Sequence, residues 1–234
     1  MADRLEYPFG TIHVDTAARW MQLDPSEDRE VWMLNLMRYK EAADYGDGDD
    51  RGISGREADD RYAPTEVLDA LGAPVALFGD VTDQPTPGTA WDRIGIVRYP
   101  SRATFFAMQR REDFQEKYVH KQAGMAETIV MGCVPVAAAD PGSAGEGPMV
   151  MHVRRLAEDA VPGPDPTGVV PLGHFAVDGV ILGDGRTWSD VRFVRLEGIG
   201  PADLAGAEGV DDEVIVVIAP VIDDLLGSVA SAGG

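Results

Sequence analysis

The amino-acid sequence predicts an α+β fold made of two tandem copies of a βαββαβ unit, the second copy poor in helices. Three observations predict it: residues that recur at a fixed spacing, strand-like segments that occur twice in the same order, and helical segments confined to the first half. Four residues of the first half recur 97 residues later. They are Pro74, Phe78, Trp91 and Arg98, which return as Pro171, Phe175, Trp188 and Arg195. An internal repeat of this length sets the architecture.

Two further pairs of segments flank the recurring residues. Residues 33–38 resemble 150–155, and residues 128–135 resemble 213–220. The order β-α-β-β-α-β, with strands 2 and 3 joined as a hairpin, is the ferredoxin-like topology. We therefore place one ferredoxin-like unit, with an additional N-terminal helix, at 1–137. A second, degenerate unit is placed at 148–226, and a Gly- and Ala-rich linker at 137–148 joins the two.

The first half contains the elements of a complete unit. Residues 14–23 predict a helix with Asp15 or Thr16 as its N-cap, and the apolar run 31–39 predicts a central strand. A helix is predicted over 56–71, which Pro64 either kinks or divides. Further strands are predicted at 75–81, 91–99 and 129–136, and further helices after Ser101 and from Asp113.

The second half keeps the strands and loses the helices. Strands are predicted at 149–156, 171–177, 190–197 and 213–221. The connection at 157–168 is too rich in proline for a helix of useful length, and the one at 198–212 has room for a turn or two. Part of the outer face of the second sheet would then be uncovered, and a second subunit is one way to cover it.

The composition excludes several classes of partner. The chain has 234 residues, with 20 Lys and Arg against 40 Asp and Glu, which gives a net charge of −20. Nucleic acids and anionic membranes bind basic surfaces, so we expect neither as a partner. The single Cys133 lies in an apolar strand and fits a reducing compartment. No run predicts a signal peptide or a membrane span, so we expect a cytoplasmic location.

Three segments of the first half resemble a known superfamily. They are W-M-L-N-L-M-R-Y-K at 32–40, G-x-S-G-R-E-A-D-D-R-Y at 52–62 and W-D-R-I-G-I-V-R-Y-P-S-R-A-T-F at 91–105. These look like the dimeric α/β-barrel superfamily, and more narrowly a branch known mainly as a domain of unknown function. The resemblance implies antiparallel sheets that form an α/β-barrel, with a ligand cavity between a sheet and its partner sheet. Relatives include cofactor-free monooxygenases, isomerases, polyketide cyclases and haem-dependent enzymes, so the resemblance does not specify one reaction.

The sequence contains no Gly-rich phosphate loop, nucleophile elbow or metal-binding cluster. The candidates are instead polar residues inside strands, where a side chain without a partner costs free energy. Asn35 shares a strand face with methionines, so its amide binds either a ligand or the neighbouring backbone. His152 holds the corresponding position in the second half, and His174 holds that of Leu77. We predict an acid/base pair from these two histidines, with structural roles as the alternative.

Several residues are weaker candidates. His120 lies four residues after Glu116 on the exposed side of its helix, and the superfamily branch implies a histidine near this position. It is the third candidate catalytic residue. The candidate substrate-binding residues are Asn35, Arg38, Tyr62, Trp91, Arg98, Trp188 and Arg195. Their alternatives are core packing for the tryptophans and solvation for the arginines, whereas a pair of arginines could also clamp a carboxylate.

These features favour a small-molecule enzyme. The predicted chemistry is acid/base isomerisation, cyclisation or elimination on an apolar, aromatic or polyketide-like substrate. The alternatives are a cofactor-free or haem-dependent oxygenase, and a non-catalytic small-molecule-binding or scaffold protein. No residue pattern identifies a metal site or a haem ligand, so no cofactor is expected, and the resemblance alone leaves haem open. The expected partner is a small-molecule ligand, with a homodimer left open.

Overall fold

The computed structural model describes residues 6–46, 48, 51–138, 145–160, 163–225 and 227. Its strands are β1 Glu6–Tyr7, β2 Gly10–Ile12, β3 Val31–Tyr39, β4 Val75–Asp83, β5 Arg93–Tyr99, β6 Met125–Ala138, β7 Met149–Leu156, β8 Val169–Gly183, β9 Asp190–Leu196 and β10 Val210–Asp223. Its helices are α1 Val14–Met21, α2 Gly55–Tyr62, α3 Thr65–Ala70, α4 Arg102–Gln109 and α5 Glu112–Gly124, and a short 3-10 helix spans Pro201–Leu204.

Eight of the strands form a closed antiparallel barrel. Their order is β8-β6-β3-β5-β4-β10-β7-β9, and β9 pairs again with β8 to close the ring. In the first half the neighbouring strands are β6-β3-β5-β4, and in the second half they are β10-β7-β9-β8. Counted along the chain within each half, both series have the order fourth, first, third, second. The predicted α+β class and the predicted antiparallel barrel are therefore confirmed.

Several predicted elements differ from the observed ones. Of the two alternatives for 56–71, division at Pro64 is the one observed: the segment is two helices, because Ala63 leaves the helical conformation before Pro64. Helix α1 begins after His13, which makes no side-chain cap, so neither Asp15 nor Thr16 is the N-cap. Strands β1 and β2 extend the sheet from β8 and were not predicted. The first residues of the predicted linker, 137–138, belong to β6. Residues 139–144 of the linker lie outside the described residues.

Side chains fill the inside of the barrel. On β3 the alternation of residues sends Trp32, Leu34 and Leu36 inward, as the period of two predicts. The other strands contribute alternate apolar side chains in the same way, among them Met131, Met151, Phe175, Phe193 and Val216. An eight-stranded barrel is just wide enough to be filled by such side chains. In the part of the chain that the structure describes, the cavity expected between the two sheets is filled by these side chains, and a cavity of about 670 Å³ lies outside the barrel.

Helices α1 to α5 cover the outer face of the first-half strands, and ion pairs tie them to the second half. Asp178 on β8 accepts hydrogen bonds from Arg19 of α1 at 2.9 Å and from Arg102 of α4 at 2.6 Å. Charge-assisted pairs of this kind, with Arg102 buried, fix the two helices against the sheet. No helix in the described ranges is long and apolar enough to cross a membrane.

Helices α2 and α5 contact each other through their backbones. Gly55 begins α2 and Gly124 ends α5, and a Cβ atom added to either would collide with the carbonyl oxygen of the other. Ala58 lies 3.0 Å from the position of a Cβ on Gly124. Small residues therefore let the two helices approach closely, and this contact sets where the side chains of α2 and α5 point over the sheet.

Replacing Gly124 with Ala should destabilise the protein by about 1–3 kcal/mol, because the new methyl group must push the two helices apart. Urea unfolding followed by circular dichroism measures the change. Gly163→Ala is the matched control, since an added Cβ there meets nothing within 4 Å. Equal stabilities of the two variants would mean that the helix contact is not constrained in this way.

Candidate functional site

A cavity of about 670 Å³ lies between the outer face of the first-half strands and the helices. Its floor is formed by residues of β3 and β5, including Met33, Asn35, Met37, Gly95 and Val97. Residues of all five helices form its walls and roof. This volume is within the range of small-molecule sites, and it lies on the face of β3 that carries Asn35.

The walls of the cavity are apolar and include several aromatic rings. Tyr62 of α2 meets Phe114 of α5 edge to face at 5.8 Å between ring centroids, and Phe114 stacks on Tyr118 at 5.6 Å. Phe105 and Phe106 of α4 line the same space. Such rings offer flat apolar surfaces, so the cavity suits a flat apolar ligand.

Among the described residues, Lys121 is the one basic side chain that lines the cavity. Only 9% of it is exposed, and its amine makes no hydrogen bond with any residue that the structure describes. The Nζ atom lies 5.2 Å from the centroid of the Tyr62 ring. Burial lowers the pKa of Lys121 below its ordinary value, and the carboxylate of Asp59 only partly opposes this shift. The amine is therefore neutral more often than that of a solvated lysine.

Asp59 of α2 places a buried carboxylate at the same cavity. Its Oδ2 accepts a hydrogen bond of 2.6 Å from the hydroxyl of Tyr39 and lies 3.5 Å from Nη1 of Arg93. Its Oδ1 is buried and has no hydrogen-bond partner among the described residues. No ion pair within 4.0 Å joins Asp59 to Lys121 in this part of the chain. Two residues that line one apolar space thus each carry a polar atom without a hydrogen-bond partner among the described residues.

Two of the predicted substrate-binding residues line the cavity. Asn35 lies in its floor, and its Nδ2 donates a hydrogen bond of 3.2 Å to the carbonyl oxygen of Met33. The structural alternative therefore holds for the amide nitrogen, whereas Oδ1 has no protein partner in the described ranges. Tyr62 lies in the wall, and burial raises the pKa of its hydroxyl well above the ordinary value, so it remains a hydrogen-bond donor.

The other five predicted substrate-binding residues do not line the cavity. Trp91 and Trp188 are part of the barrel core. The three arginines bind neighbouring groups: Arg38 pairs with Glu127, Arg98 with Glu30, and Arg195 donates to the carbonyl oxygen of Gly147. Arg98 and Arg195 occupy matching strands, but each has its own partner.

The three predicted catalytic histidines also lie away from the cavity. His152 is buried on the outer face of the second-half strands, where its Nε2 lies 2.7 Å from Oε2 of Glu213. His174 lies 3.1 Å from Oδ2 of Asp190, so each histidine has a carboxylate of its own. His120 bonds the hydroxyl of Tyr45 at 2.8 Å. The structure does not bring the three histidines together at one site. Their catalytic roles remain predictions.

Lys121 and Asp59 were missed by the sequence reasoning, although a signal was present. Phe114, Tyr118, Lys121 and Met125 recur at three- and four-residue steps, so the lysine lies on the apolar face of α5. On α2, Asp59 follows Gly55 by four residues and shares the buried face of the helix with Gly55 and Ala58. A charged residue on the apolar face of an amphipathic helix is unusual because its burial costs free energy.

The described residues contain no group of three or more His, Cys, Asp or Glu that could hold a metal ion. The lining of the cavity contains no histidine or cysteine, the two side chains that most often provide the axial ligand of haem iron. Haem held by either ligand therefore does not fit this cavity as the lining stands.

Comparison with known proteins gives likenesses of overall structure. No protein-family model and no curated protein sequence matches the chain. A protein of unknown function from Rhodopseudomonas palustris is 27% identical, covers 53% of this chain and 93% of its own, and has a TM-score of 0.47. A mutant chlorite dismutase from Candidatus Nitrospira defluvii is 8% identical, covers 91% of this chain and 98% of its own, and has a TM-score of 0.44. With TM-scores below 0.5, neither likeness defines a family or a function for this chain.

Replacing Asp190 with Asn should remove a pH-dependent part of the stability. Burial opposes ionisation of Asp190, but hydrogen bonds from His174 and Arg154 outweigh it and lower its pKa to about 2. Since the folded state binds this proton more weakly than the unfolded state, about 2 kcal/mol of stability is present above about pH 5 and is lost as the pH falls towards 2. Asp190→Asn should flatten this part of the stability curve, measured by urea unfolding at successive pH values.

The exposed residue Asp211, which makes no side-chain hydrogen bond or ion pair among the described residues, provides the control: the Asp211→Asn variant should unfold like the natural protein at each pH. An unaltered curve in the Asp190→Asn variant would show that the buried pairs of Asp190 do not contribute to stability.

Replacing Lys121 with Met should stabilise the fold, by about 1 kcal/mol or about 2–4 °C in Tm near neutral pH. Methionine fills the space without burying an amine. Because the pKa of Lys121 is lowered by folding, the cost of burying its proton is largest at low pH and disappears as the pH rises to the ordinary lysine value. The gain measured by thermal unfolding should therefore shrink towards alkaline pH.

Lys117→Met is the matched control on the same helix, because the Lys117 amine already donates to the carbonyl oxygen of Ala63. It should not raise the Tm. A loss of stability in Lys121→Met would mean that the amine holds a structural contact.

Proposed function

We propose that this protein is a small-molecule enzyme that moves a proton on an apolar, aromatic or polyketide-like substrate, in an isomerisation, cyclisation or elimination. One observation carries the proposal. Lys121, of which 9% is exposed and whose amine makes no hydrogen bond with the described residues, and Asp59, whose Oδ1 is buried without a hydrogen-bond partner among them, both line an apolar cavity with several aromatic rings. Buried groups left unpaired at a cavity are typical of sites where a ligand completes the bonding.

The side chains of the cavity suit proton transfer beside a carbonyl group. In its neutral form the Lys121 amine accepts a proton from the carbon next to the carbonyl. The hydroxyl of Tyr62, which stays protonated, donates a hydrogen bond to the oxygen on which negative charge develops. Asp59 stabilises the ammonium ion that Lys121 becomes. A base whose pKa lies nearer to neutral is the more effective general base, so the burial of Lys121 serves the reaction.

The entrance of the cavity supports an apolar substrate. Tyr7, Val14, Met21 and Ile222 line the cavity and are also exposed, so its rim is apolar. The acidic surface of the chain, with a net charge of −20, disfavours highly anionic substrates. Both features favour a neutral molecule that leaves water for an apolar space.

We further infer that the barrel arose by duplication within the dimeric α/β-barrel superfamily, with the two copies now differing in role. The copies have the same strand order, and Asn35 pairs with Gly95 as His152 pairs with Arg192. In the first copy this position faces the cavity. In the second copy it belongs to a set of ion pairs, which supports a binding role for one copy and a structural role for the other.

The proposal predicts catalysed exchange of carbon-bound hydrogen. The protein should accelerate deuterium exchange at the carbon next to the carbonyl of α-tetralone, a flat aryl ketone, as followed by NMR in heavy water. Lys121→Met should reduce the rate above background by about 10²–10⁴-fold, because the base is lost. Asn35→Ala should weaken binding of the ketone rather than the exchange step.

Three controls separate the alternatives. Lys117→Met, on the same helix but outside the cavity lining, should exchange like the natural protein. Loss of exchange in His152→Ala or His174→Ala, with Lys121→Met unaffected, would place the chemistry in the second half. Saturable binding of α-tetralone without any exchange would identify a binding protein and overturn the enzymatic proposal. An absorbance spectrum of the purified protein, with or without a Soret band, tests the haem alternative.

A further inference from the structure

The three lysines of the chain differ sharply in their surroundings. The sequence contains only Lys40, Lys117 and Lys121. The amine of Lys40 donates to the carbonyl oxygen of Gln122 at 3.4 Å, and that of Lys117 to the carbonyl oxygen of Ala63 at 3.3 Å. Both of these side chains reach solvent, whereas Lys121 is buried and makes no such bond within the described ranges. Lys121 is thus the lysine whose nitrogen lone pair is the most accessible to a ligand in an apolar space.

We infer that Lys121 is a nucleophile, and that its amine forms an imine with the carbonyl carbon of an apolar aldehyde or ketone bound in the cavity. This inference rests on the proposed function and names its substrate class, an apolar carbonyl compound. It assigns covalent attachment to the same nitrogen that acts as a base in the simpler proposal.

The step balances without any further reactant. The nitrogen lone pair of Lys121 attacks the carbonyl carbon, a carbon–nitrogen bond forms, and the carbonyl π electrons move to oxygen. One proton then passes from nitrogen to that oxygen, which gives a neutral carbinolamine. The carbon–oxygen bond breaks as the second nitrogen proton leaves, so one water molecule departs and the imine remains. Hydrolysis reverses these steps.

Asp59 is placed to assist this step by its charge. Asp59 lines the cavity, its Oδ1 is buried without a hydrogen-bond partner among the described residues, and the hydrogen bond from Tyr39 occupies its other oxygen. No ion pair within 4.0 Å joins Asp59 to Lys121 in the described part of the chain, so we assign to a water molecule the transfer of the proton from nitrogen to oxygen. The carboxylate of Asp59, which opposes the lowered pKa of Lys121, stabilises the positive charge that the nitrogen carries after attack.

The apolar walls favour the imine in two ways. A desolvated lysine carries a larger fraction of the neutral amine, which is the nucleophilic form. Water is a product of the condensation, so a cavity lined by Tyr62, Phe114 and Tyr118 disfavours the reverse hydrolysis while the substrate fills it.

Reductive trapping tests the inference directly. The full-length protein is incubated with naphthaldehyde and sodium cyanoborohydride near neutral pH, and peptide mass spectrometry follows the secondary amine formed at each lysine. We expect Lys121 to be labelled at least about tenfold faster than Lys40 or Lys117. The preference should disappear in urea, where all three amines are solvated. Labelling of Lys121 no faster than of the other two lysines would overturn the inference, and this comparison needs no variant.

Variants and a second probe define the site. Asp59→Asn should slow labelling of Lys121 without changing that of Lys117, because the negative charge that stabilises the cationic nitrogen is lost. Lys121→Arg should abolish the fast labelling and leave the other two lysines unchanged. Glyoxylate, a small anionic aldehyde, should show no preference for Lys121; a fast reaction there would overturn the assignment of an apolar substrate class.

The two proposals can fail separately. Exchange of α-tetralone that depends on Lys121, without any trapping at Lys121, would overturn the imine and leave the proton-transfer function intact. Trapping at Lys121 in a protein that catalyses no exchange would support the nucleophile and overturn proton transfer as the function.

Discussion

Closure of the barrel is the constraint on which the rest of the structure depends. Pairing of β6 with β8 and of β4 with β10 joins the two halves and leaves the eight strands without a free edge. Among the described residues, buried apolar side chains fill this ring, as they can in a barrel of eight strands. The cavity of about 670 Å³ lies instead on the outer face, between the strands and the helices that cross them. The first half supplies five such helices, and the cavity lies beneath them.

The contact between α2 and α5 turns this space into a site. Gly55 and Gly124 bring the two backbones together, and the apolar faces of both helices are then directed at the sheet. Each of these faces carries one charged residue, Asp59 or Lys121. Asp59 meets Arg93 and Tyr39 through one oxygen and leaves the other without a partner, whereas Lys121 has no ion pair among the described residues. Burying such polar atoms costs free energy, and folded proteins keep them mainly where function requires them. The arrangement exchanges stability for reactivity within an otherwise apolar cavity.

The second half uses the same strand positions for a different purpose. On its outer face His152 meets Glu213, and Arg154 and His174 both meet Asp190. These pairs occupy the face that corresponds to the cavity of the first half, and an apolar cluster that includes Val150, Leu204 and Ile215 covers the remainder. Part of the covering that helices give the first half is thus provided here by the chain after β9, including the 3-10 helix. In the described part of the second half, the 3-10 helix is the helical element over this face.

The sequence by itself determined the eight strands of the barrel and the faces of β3, but not the short strands β1 and β2. The period of two on β3 placed Asn35 with Met33 opposite Trp32 and Leu34, and the recurrence at 97 residues predicted two sets of four strands. Only the tertiary structure decided which face of the sheet meets the cavity, since periodicity separates two faces without saying what covers either. It also decided that His152 and His174 each have a separate carboxylate, and that Lys121 and Asp59 border one space. Those relations depend on pairings between residues far apart in the chain, which local patterns do not encode.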